Sequence, residues 1–417
     1  MTQTKKLLII GFVWPEPKSS AAGTRMMQLI HFFKDQNWSI TFASTANDSR
    51  FMTDLTTFDV QTESIEMNDE SFDHFVHEVN PDVVLFDRFM TEEQFGWRVH
   101  STVPEAIRIL DTEDLHSLRY GRMKAVKEGR EFSDDDLISD LAKREIAAIY
   151  RSDLSFIISE AEMRYLTKFY KVSSDLLLYL PYALKTITET DVENWPMYDT
   201  RQHFISIGNF RHKPNLDSVL FLKEEIWPLI RSELPDSELH LYGAYPSQQV
   251  TDLHKPSEGF LVKGRADDSK KVMRSAKVCL APLRFGAGLK GKLIEAMQCG
   301  TPSITTTTGA EGIHGEFEWP GQITDNPREF ASEAVRYYKT NHLWKKAQKR
   351  GIQIINERFN KSNFTATISE SLDTVIKNIK SHRLNNFNGA MLMHHSMAST
   401  RFMSRWIEEK NRMKTDD

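Results

Sequence analysis

Short apolar runs alternate with longer amphipathic stretches along most of this chain, and this alternation restricts the fold more than any other feature. The runs are rich in Leu and β-branched residues, which is typical of parallel strands covered by helices on both faces. We predict six strands in a first series, at 7–12, 39–43, 83–87, 107–111, 154–159 and 176–182. A second series has five, at 203–207, 239–242, 260–263, 278–281 and 302–306. The sequence therefore predicts two successive α/β units.

Helical periodicity fills the intervals between these strands. The predicted helices are 24–34, 71–79 and a long charged 117–150 in the first series, and 215–230, 269–275 and 292–298 in the second. A polar stretch at 186–202 separates the two series, and beyond 325 the chain is mostly helical, with a helix beginning at Pro327 and apolar residues at helical spacing over 343–379. A chain of 417 residues also exceeds the roughly 250–300 residues at which single cores stop growing.

Composition excludes several classes of function. The net charge of −5, from 53 basic and 58 acidic residues, provides no global positive field for nucleic acid. The two cysteines, Cys279 and Cys299, are expected to be free thiols in a reducing compartment, the cytoplasm. No apolar run approaches the roughly 20 residues of an integral membrane segment. Peripheral contact with the inner membrane face stays open, because 401–414 has the pattern of a basic amphipathic helix; an ordinary docked terminal helix is the alternative.

The segment 278–312 carries the clearest chemistry. Its apolar strand ends at Pro282, three glycines follow within 286–291, and a helix begins near Lys292. A glycine-rich turn between a strand and a helix exposes backbone N–H groups at the positive end of the helix dipole, which suits an anion. With Lys290 and Lys292 adding positive charge, we expect a diphosphate site here.

The same glycines spell GxGxxG, the fingerprint of NAD binding, and Glu311 lies at about the spacing of a ribose contact. In a dinucleotide-binding domain, however, that turn follows the first strand, whereas here it follows the fourth strand of the second series. The first strands end in 11–15 and 208–211, which do not match the fingerprint. An NAD-dependent oxidoreductase is therefore disfavoured.

The stretch FGAGLKGKLIEAMQCGTPSITTTTGAEG, from Phe285, resembles the donor-binding segment of group 1 glycosyltransferases, of the retaining glycosyltransferase family 4 type with the GT-B fold. Weaker similarity covers almost the whole chain, including IGNFRHKPNLDSVLFLKEEIWPLI from Ile207, LYGAYP from Leu241 and GFVWPEPKSSAAGTR from Gly11. The resemblance implies two facing Rossmann-like, doubly wound domains: 1–185 for the acceptor and 186–360 for the nucleotide-sugar. A helix at 361–383 would return to the first domain, and 384–417 would form a tail.

The resemblance further implies transfer of a hexose-type unit from a nucleoside diphosphate sugar to a hydroxyl of a glycan, lipid-linked or protein acceptor. Retention at the anomeric carbon and independence of metals and cofactors are expected with it, in glycan, polysaccharide or glycoconjugate biosynthesis. Many family members have an E-x7-E pair, and Ala287 occupies its first position here. A nucleotide-sugar epimerase and a catalytically inactive nucleotide- or glycan-binding protein therefore remain alternatives.

By the same resemblance, Glu295 would accept hydrogen bonds from the ribose hydroxyls and Lys292 would contact the diphosphate. Arg211 and Lys213 would stabilise charge on the leaving diphosphate. The predicted donor-binding set is Gly23, Arg211, Lys213, Gly286, Ala287, Gly288, Leu289, Lys290, Lys292 and Glu295. For Gly23 the alternative is a plain helix start capped by Ser19 or Ser20.

Acceptor chemistry is assigned to residues that follow strands of the first series. His116 ends a loop that carries three carboxylates, and it would take the acceptor proton or orient the acceptor hydroxyl. We assign Asp87, Arg88 and Asp111 to acceptor binding; an Asp-rich capping loop is the alternative for 111–116. The predicted catalytic residues are thus His116, Arg211 and Lys292. No metal site is expected, because 394–395 lacks partners at ligand spacing and the acidic 134–136 is predicted to be a helix start capped by Ser133.

Overall fold

A computed structural model of the chain describes residues 4–415 and contains two parallel β-sheets. The first sheet has the order β3-β2-β1-β4-β5-β6-β7 and the second β10-β9-β8-β11-β12-β13. The strands of the first are β1 Lys6–Gly11, β2 Ser39–Ser44, β3 Gln61–Ser64, β4 Val83–Asp87, β5 Ile107–Asp111, β6 Leu154–Ile157 and β7 Leu177–Tyr179. Those of the second are β8 Gln202–Ile207, β9 Leu239–Tyr242, β10 Phe260–Gly264, β11 Ala276–Ala281, β12 Ser303–Thr305 and β13 Gly321–Ile323.

Helices connect these strands and form the carboxyl-terminal part of the chain. They are α1 Ala21–Asp35, α2 Ser71–Val79, α3 Phe89–Thr102, α4 His116–Lys127, α5 Asp140–Arg151, α6 Glu160–Arg164, α7 Glu189–Glu193, α8 Lys213–Phe221 and α9 Trp227–Glu233. The chain continues with α10 Gln248–Thr251, α11 Ser269–Ser275, α12 Gly291–Gln298, α13 Thr307–Ala310, α14 Pro327–Lys339, α15 Asn341–Arg358, α16 Lys361–Lys377, α17 Ile379–Asn385 and α18 Phe387–Thr415. Two π-helical turns extend α6 and α8, at Tyr165–Phe169 and Leu222–Ile226. Short 3₁₀ turns occupy Leu55–Phe58, Asp134–Leu137, Ser174–Leu176, Tyr198–Thr200 and Pro256–Glu258.

In each sheet the first strand lies in the middle and the strand order reverses beside it. β1 pairs with both β2 and β4, and β8 pairs with both β9 and β11, always in parallel. This is the doubly wound order, in which ligands bind in the crevice beyond the carboxyl ends of the strands at the reversal point. The two reversal points therefore position the candidate site.

The central strands are mainly apolar because both of their faces are covered. Leu7 and Ile9 of β1 belong to one apolar cluster, and Leu8 and Ile10 belong to a second on the opposite face. Neighbouring side chains of a strand point to opposite faces, so a strand covered on both sides shows no polar alternation. The continuous runs in the sequence predicted this correctly.

Several elements differ from the sequence predictions, and helix α3 is among those that were not predicted. The long helix expected over 117–150 is two helices, because Gly129 has a left-handed φ of 64° after α4 and a capping box at Ser133 and Asp136 begins the next turn. The strands β3 and β13 were not predicted. All four residues of β3 are exposed at the edge of the sheet, and β13 has three residues, so neither shows an apolar run.

The chain crosses between the domains twice, and the two crossings are hydrogen-bonded to each other. Leu184 N donates to Phe359 O over 2.7 Å, and Lys361 N donates to Leu184 O over 2.9 Å. After the second crossing, α16 buries Phe364 and Ile368 in the core of the first domain. The carboxyl-terminal helix thus returns to the amino-terminal domain.

The tail continues along the first domain as α17 and α18. Arg383 of α17 forms an ion pair with Asp153 at 2.8 Å, and Arg98 of α3 bonds Ser404 and Glu408 of α18. The region 401–414 is therefore part of a docked terminal helix. None of the helices in the described range has the length and apolarity that a membrane crossing requires.

Candidate functional site

The two domains meet at the glycine loop, residues 285–291, which joins β11 to α12. Gly288 N donates to Glu162 Oε1 of the first domain over 2.8 Å, and the same oxygen accepts from Leu115 N over 2.7 Å. The carbonyl of Gly286 accepts from Arg122 Nη1 over 2.8 Å. The loop predicted to bind the donor is therefore held against the first domain.

Two glycines of this loop are explained by close approach. Gly288 has a φ of 62°, and a Cβ there would lie 2.9 Å from the Cβ of Asp114. A Cβ on Gly291 would lie 2.8 Å from the Cβ of Ala21, at the start of α1. Side chains at these positions would push the domains apart, so the glycines allow the first domain to reach the loop backbone.

The two lysines of the segment point in different directions. Lys292 Nζ bonds Asn215 Oδ1 over 2.8 Å and lines a small cavity at the carboxyl end of β8. Lys290 Nζ bonds the carbonyl of Gly288 over 2.9 Å and is buried within the loop. Burial lowers the pKa of each amine to about 8, because it disfavours the charged form. Lys292 alone faces the crevice of the second sheet.

Glu295 lies three residues after Lys292 on α12 and thus on a neighbouring part of the helix surface. Its carboxylate accepts from the hydroxyl of Ser269, the first residue of α11. Burial raises the pKa of this carboxyl, and its bond with Ser269 acts in the opposite direction. The two charged groups predicted to hold the donor therefore lie three residues apart on α12.

The loop after β8 contributes exposed cations. The guanidinium of Arg211 lies 3.8 Å from the centre of the Tyr245 ring, and Lys213 begins α8. His212, between them, interacts electrostatically with Arg119 and Asp114 of the first domain. Our sequence analysis missed His212, although the run of three basic residues after a strand was a signal for it.

Gly23 lies in the first turn of α1, as in the alternative of a capped helix start. Its amide donates to Ser20 Oγ over 3.0 Å, since Ser20 is the N-cap of α1. A Cβ on Gly23 would lie 2.5 Å from the backbone of Glu16. The amide is hydrogen-bonded within its own helix start, and the glycine allows the close approach of the Glu16 backbone. Its role in donor binding stays a prediction.

Asp87 and Asp111, predicted to bind the acceptor, are both buried at the carboxyl ends of their strands. Asp111 is fully buried and bonds Arg25 through both carboxylate oxygens, at 2.8 to 3.1 Å. Asp87 is buried and accepts from Phe12 N over 3.1 Å. Both carboxylates hold strand ends together. Neither presents its oxygens to the cleft.

Arg88 is half-buried and has a φ of 71°, unusual for a residue with a side chain. Its guanidinium lies 5.0 Å from the centre of the Phe12 ring and interacts with Glu113 and Asp114. Arg88 therefore remains next to the acidic loop that ends at His116.

His116 begins α4 beside the donor loop. Its Nε2 lies 3.4 Å from Asp114 Oδ1, and its backbone N–H donates to Glu145 Oε1 over 2.8 Å. Burial lowers the pKa of the imidazole to about 4, so the ring is neutral at pH 7. A neutral imidazole can accept a proton, but the lowered pKa makes it a weaker base than a free histidine, so a charge-stabilising partner such as Asp114 is needed for that role.

Glu113 is a further carboxyl that the predicted site residues do not include. Burial and then the nearby Asp111 raise its pKa to about 8, so it is mostly protonated at neutral pH. Its Oε1 is buried without a hydrogen-bond partner among the residues that the structure describes. An unpartnered polar atom beside the domain junction marks Glu113 as a candidate for ligand contact.

Ala287 packs against an apolar cluster of the first domain that includes Tyr165 and Phe132 at its margin. A glutamate here would bring a carboxylate into that surface. The alanine at this position of the E-x7-E pattern thus has a packing reason. Leu289, two residues later, is buried in the cluster that joins the domains through Ile158 and Tyr182.

No group of three or more His, Cys, Asp or Glu side chains suited to a metal ion occurs within residues 4–415.

Residues 201–340 match the model of a family described as "Glycosyl transferases group 1". No curated protein sequence matches the chain significantly.

Solved structures match over most of the chain. Sucrose-phosphate synthase from Thermosynechococcus elongatus superposes with a TM-score of 0.67 at 15% identity, covering 89% of this chain and 99% of the other. The Anabaena protein HepE, in complex with UDP and glucose, gives 0.64 at 14% identity and covers 88% and 99%. A glycosyltransferase from Rickettsia africae gives 0.64 at 12% identity and covers 90% and 100%. The chain thus has the GT-B fold, and its second domain matches the group 1 glycosyl transferases.

Proposed function

We propose that this protein transfers a sugar from a nucleoside diphosphate sugar to an acceptor hydroxyl. The observation that carries the proposal is the crevice beyond β8 and β11. There Lys292 and Glu295 flank the start of α12, and the glycine loop holds the same edge against the His116 loop of the first domain. A phosphate group and a sugar can thus contact both domains at once. The group 1 match of residues 201–340 supports the same chemistry.

The donor would be held mainly by the second domain. Glu295 accepts hydrogen bonds from the ribose hydroxyls, and Lys292 contacts the diphosphate at the amino end of α12. The exposed cations Arg211 and Lys213 neutralise charge that develops on the leaving diphosphate. Because these side chains supply the positive charge, the proposal includes transfer without a metal.

The acceptor would be activated from the first domain. His116 is neutral at pH 7 and lies beside Asp114, which can stabilise the imidazolium formed when the ring takes a proton. The proposal follows the retaining glycosyltransferase family 4 type, with a hexose-type unit transferred during glycan, polysaccharide or glycoconjugate biosynthesis. The acceptor would be a glycan, a lipid-linked sugar or a protein.

The test combines nucleotide binding with donor turnover. Thermal unfolding is measured with UDP, GDP, ADP, TDP, CMP and NADH, with and without EDTA. We expect one nucleoside diphosphate to raise the Tm regardless of EDTA, since a ligand of the folded state stabilises it. Glu295→Gln should weaken that shift while leaving any shift caused by inorganic diphosphate unchanged.

Turnover separates the proposal from its alternatives. The sugar derivative of that nucleotide should be consumed faster when an acceptor is present. An inactive binding protein would leave the donor intact, and an epimerase would convert it without an acceptor. If NADH alone raised the Tm, the proposed nucleoside diphosphate site would be wrong.

We also propose a cytoplasmic location with α18 on an anionic membrane surface. One side of α18 exposes an apolar stripe, defined as Phe387, Met391, Phe402, Trp406 and Met413. Ser404, on the opposite side, is buried against the first domain. Arg401 and Arg405 are exposed next to the stripe, which gives charge complementarity to anionic headgroups.

A further inference from the structure

An open groove of about 380 Å³ lies beside the glycine loop, outside the donor crevice. Its lining comes mainly from the first domain, and Glu311 of the second domain closes one side. The side chains that matter are Asp134, Arg164, Tyr165, Lys168, Phe169 and Glu311. Both domains therefore contribute residues to the groove, as both contribute to the contacts of the glycine loop.

This groove is connected to the donor loop by two direct contacts. Arg122 bonds both carboxylate oxygens of Glu311, each at 2.7 Å, and its Nη1 also bonds the carbonyl of Gly286 at 2.8 Å. The Tyr165 hydroxyl lies 3.5 Å from Arg122 Nη2. A molecule in the groove therefore lies next to the loop that would carry the donor sugar.

The charge of the lining favours an anion. The lining has two cations, Arg164 and Lys168, and two carboxylates, Asp134 and Glu311; the charge of Glu311 is compensated by Arg122, which lies next to the lining. Arg122 already neutralises Glu311 and, although burial acts in the opposite direction, holds the pKa of that carboxyl below its ordinary value. Arg164 and Lys168 are exposed, and neither forms an ion pair with another described residue.

The apolar part of the lining favours a sugar ring. Tyr165 and Phe169 are half-buried and belong to the same π-helical turn as Lys168. Such turns are frequent at functional sites because they move side chains out of regular helical register. Aromatic rings offer flat apolar faces, and Arg and Lys next to them bind phosphate or carboxylate oxygens.

We propose that this groove binds the acceptor, and that the acceptor is a sugar carrying a phosphate or carboxylate group. That the bound sugar is an acceptor rests on the proposed transfer reaction. That the groove prefers an anionic sugar rests on the residues of the groove itself. Arg164 and Lys168 bind the anionic group, and Tyr165 and Phe169 contact the ring. The hydroxyl to be glycosylated then lies toward Gly286.

The test measures binding and transfer separately. The probes are glucose 6-phosphate, glucuronate, glucose and inorganic phosphate, each titrated by ligand-observed NMR against the full chain saturated with the nucleoside diphosphate that stabilises it. We expect both anionic sugars to bind at least about tenfold more tightly than glucose, and glucose 6-phosphate more tightly than inorganic phosphate. The double variant Arg164→Gln/Lys168→Gln should lose this preference.

The matched control is Lys345→Gln/Lys349→Gln, which removes two exposed cations at the same spacing from α15. It should bind all four probes as the unmodified chain does. In the transfer assay, the groove variant should raise the acceptor KM about tenfold and leave the donor KM unchanged. Phe169→Leu should weaken the binding of glucose 6-phosphate but not the binding of inorganic phosphate.

Equal affinity for glucose and the anionic sugars would overturn the inference, as would unchanged binding in the groove variant. Equal affinity for inorganic phosphate and glucose 6-phosphate would show that the groove binds the phosphate and does not contact the sugar ring. If no donor is turned over but the anionic sugars bind as expected, the proposed transfer reaction is wrong and the groove is still a binding site for anionic sugars.

Discussion

Lys292 shows how one side chain can be both structural and reactive. Its amine is buried against Asn215 before any diphosphate is present, and this burial lowers its pKa to about 8. A nearby diphosphate favours the charged amine, so binding and protonation reinforce each other. The electrostatic strength of the site therefore depends on pH near the physiological range.

We predict that kcat/KM for the donor falls as pH rises through about 8, because Lys292 is an ammonium below that pKa and a neutral amine above it. Lys292→Arg should remove this fall, since a guanidinium stays charged throughout. Initial rates at low donor concentration between pH 6 and about 10 provide the measurement. A variant with an unchanged profile would assign the titration to another group.

A second prediction concerns Asp111, which the sequence suggested for acceptor binding. Asp111→Ala leaves the guanidinium of Arg25 buried without its carboxylate, so we expect a loss of about 3–5 kcal/mol in the free energy of unfolding. Urea titration measures it. Asp373→Ala, which removes an exposed partner of Lys5 at 3.9 Å, is the control and should change little. A stable Asp111 variant that loses only acceptor affinity would restore the original assignment.

At the scale of elements, the strand–turn–helix segment was the part of the site that the sequence could predict. Lys292 and Glu295 owe their positions to local geometry at the start of α12, so a short motif suffices to find them. The surroundings of Asp111 and Gly23 could not be found from a short motif. Asp111 is bonded to Arg25, which lies 86 positions away in the sequence, and Gly23 packs against the loop before α1. Edge strand β3 was missed for the related reason that its residues face solvent.

The glycine loop yields a prediction of its own. Ala287→Glu restores the first glutamate of the E-x7-E pattern but puts a charge against the apolar surface beside Tyr165. We expect a lower Tm and slower transfer than in the unmodified chain. Ala287→Gln, of similar size without the charge, should lose less in both measurements. Faster transfer in the glutamate variant would show that the loop moves away from this surface during turnover.

At the scale of the whole molecule, the alternation of strands and helices predicted two α/β units, and the family resemblance implied that they are the doubly wound domains of a GT-B fold. The structure confirms both. How the domains contact each other was not predictable, because those contacts join residues far apart in sequence, such as Arg122 with Glu311 and Glu162 with Gly288. The contact of α18 with the first domain through Arg98 was not predictable for the same reason.

The apolar stripe of α18 gives a prediction for the complete chain. We expect the protein to float with vesicles that contain an anionic phospholipid and to remain free of neutral vesicles, because binding combines apolar burial with charge attraction. Phe402→Ser/Trp406→Ser should abolish flotation. Met197→Ser removes an apolar side chain that is 78% exposed on the second domain and should have no effect. Equal flotation of all three proteins would place the contact elsewhere.

The paired chain crossings at Leu184 and Phe359 have a mechanical consequence. A single linker would let one domain twist freely about the other, whereas two adjacent strands bonded side by side resist twisting and still permit bending. We therefore expect the cleft between the domains to open by a hinge-like bending about the two crossings. A cut in one of the two crossings would remove this restraint and leave the domains joined through the other.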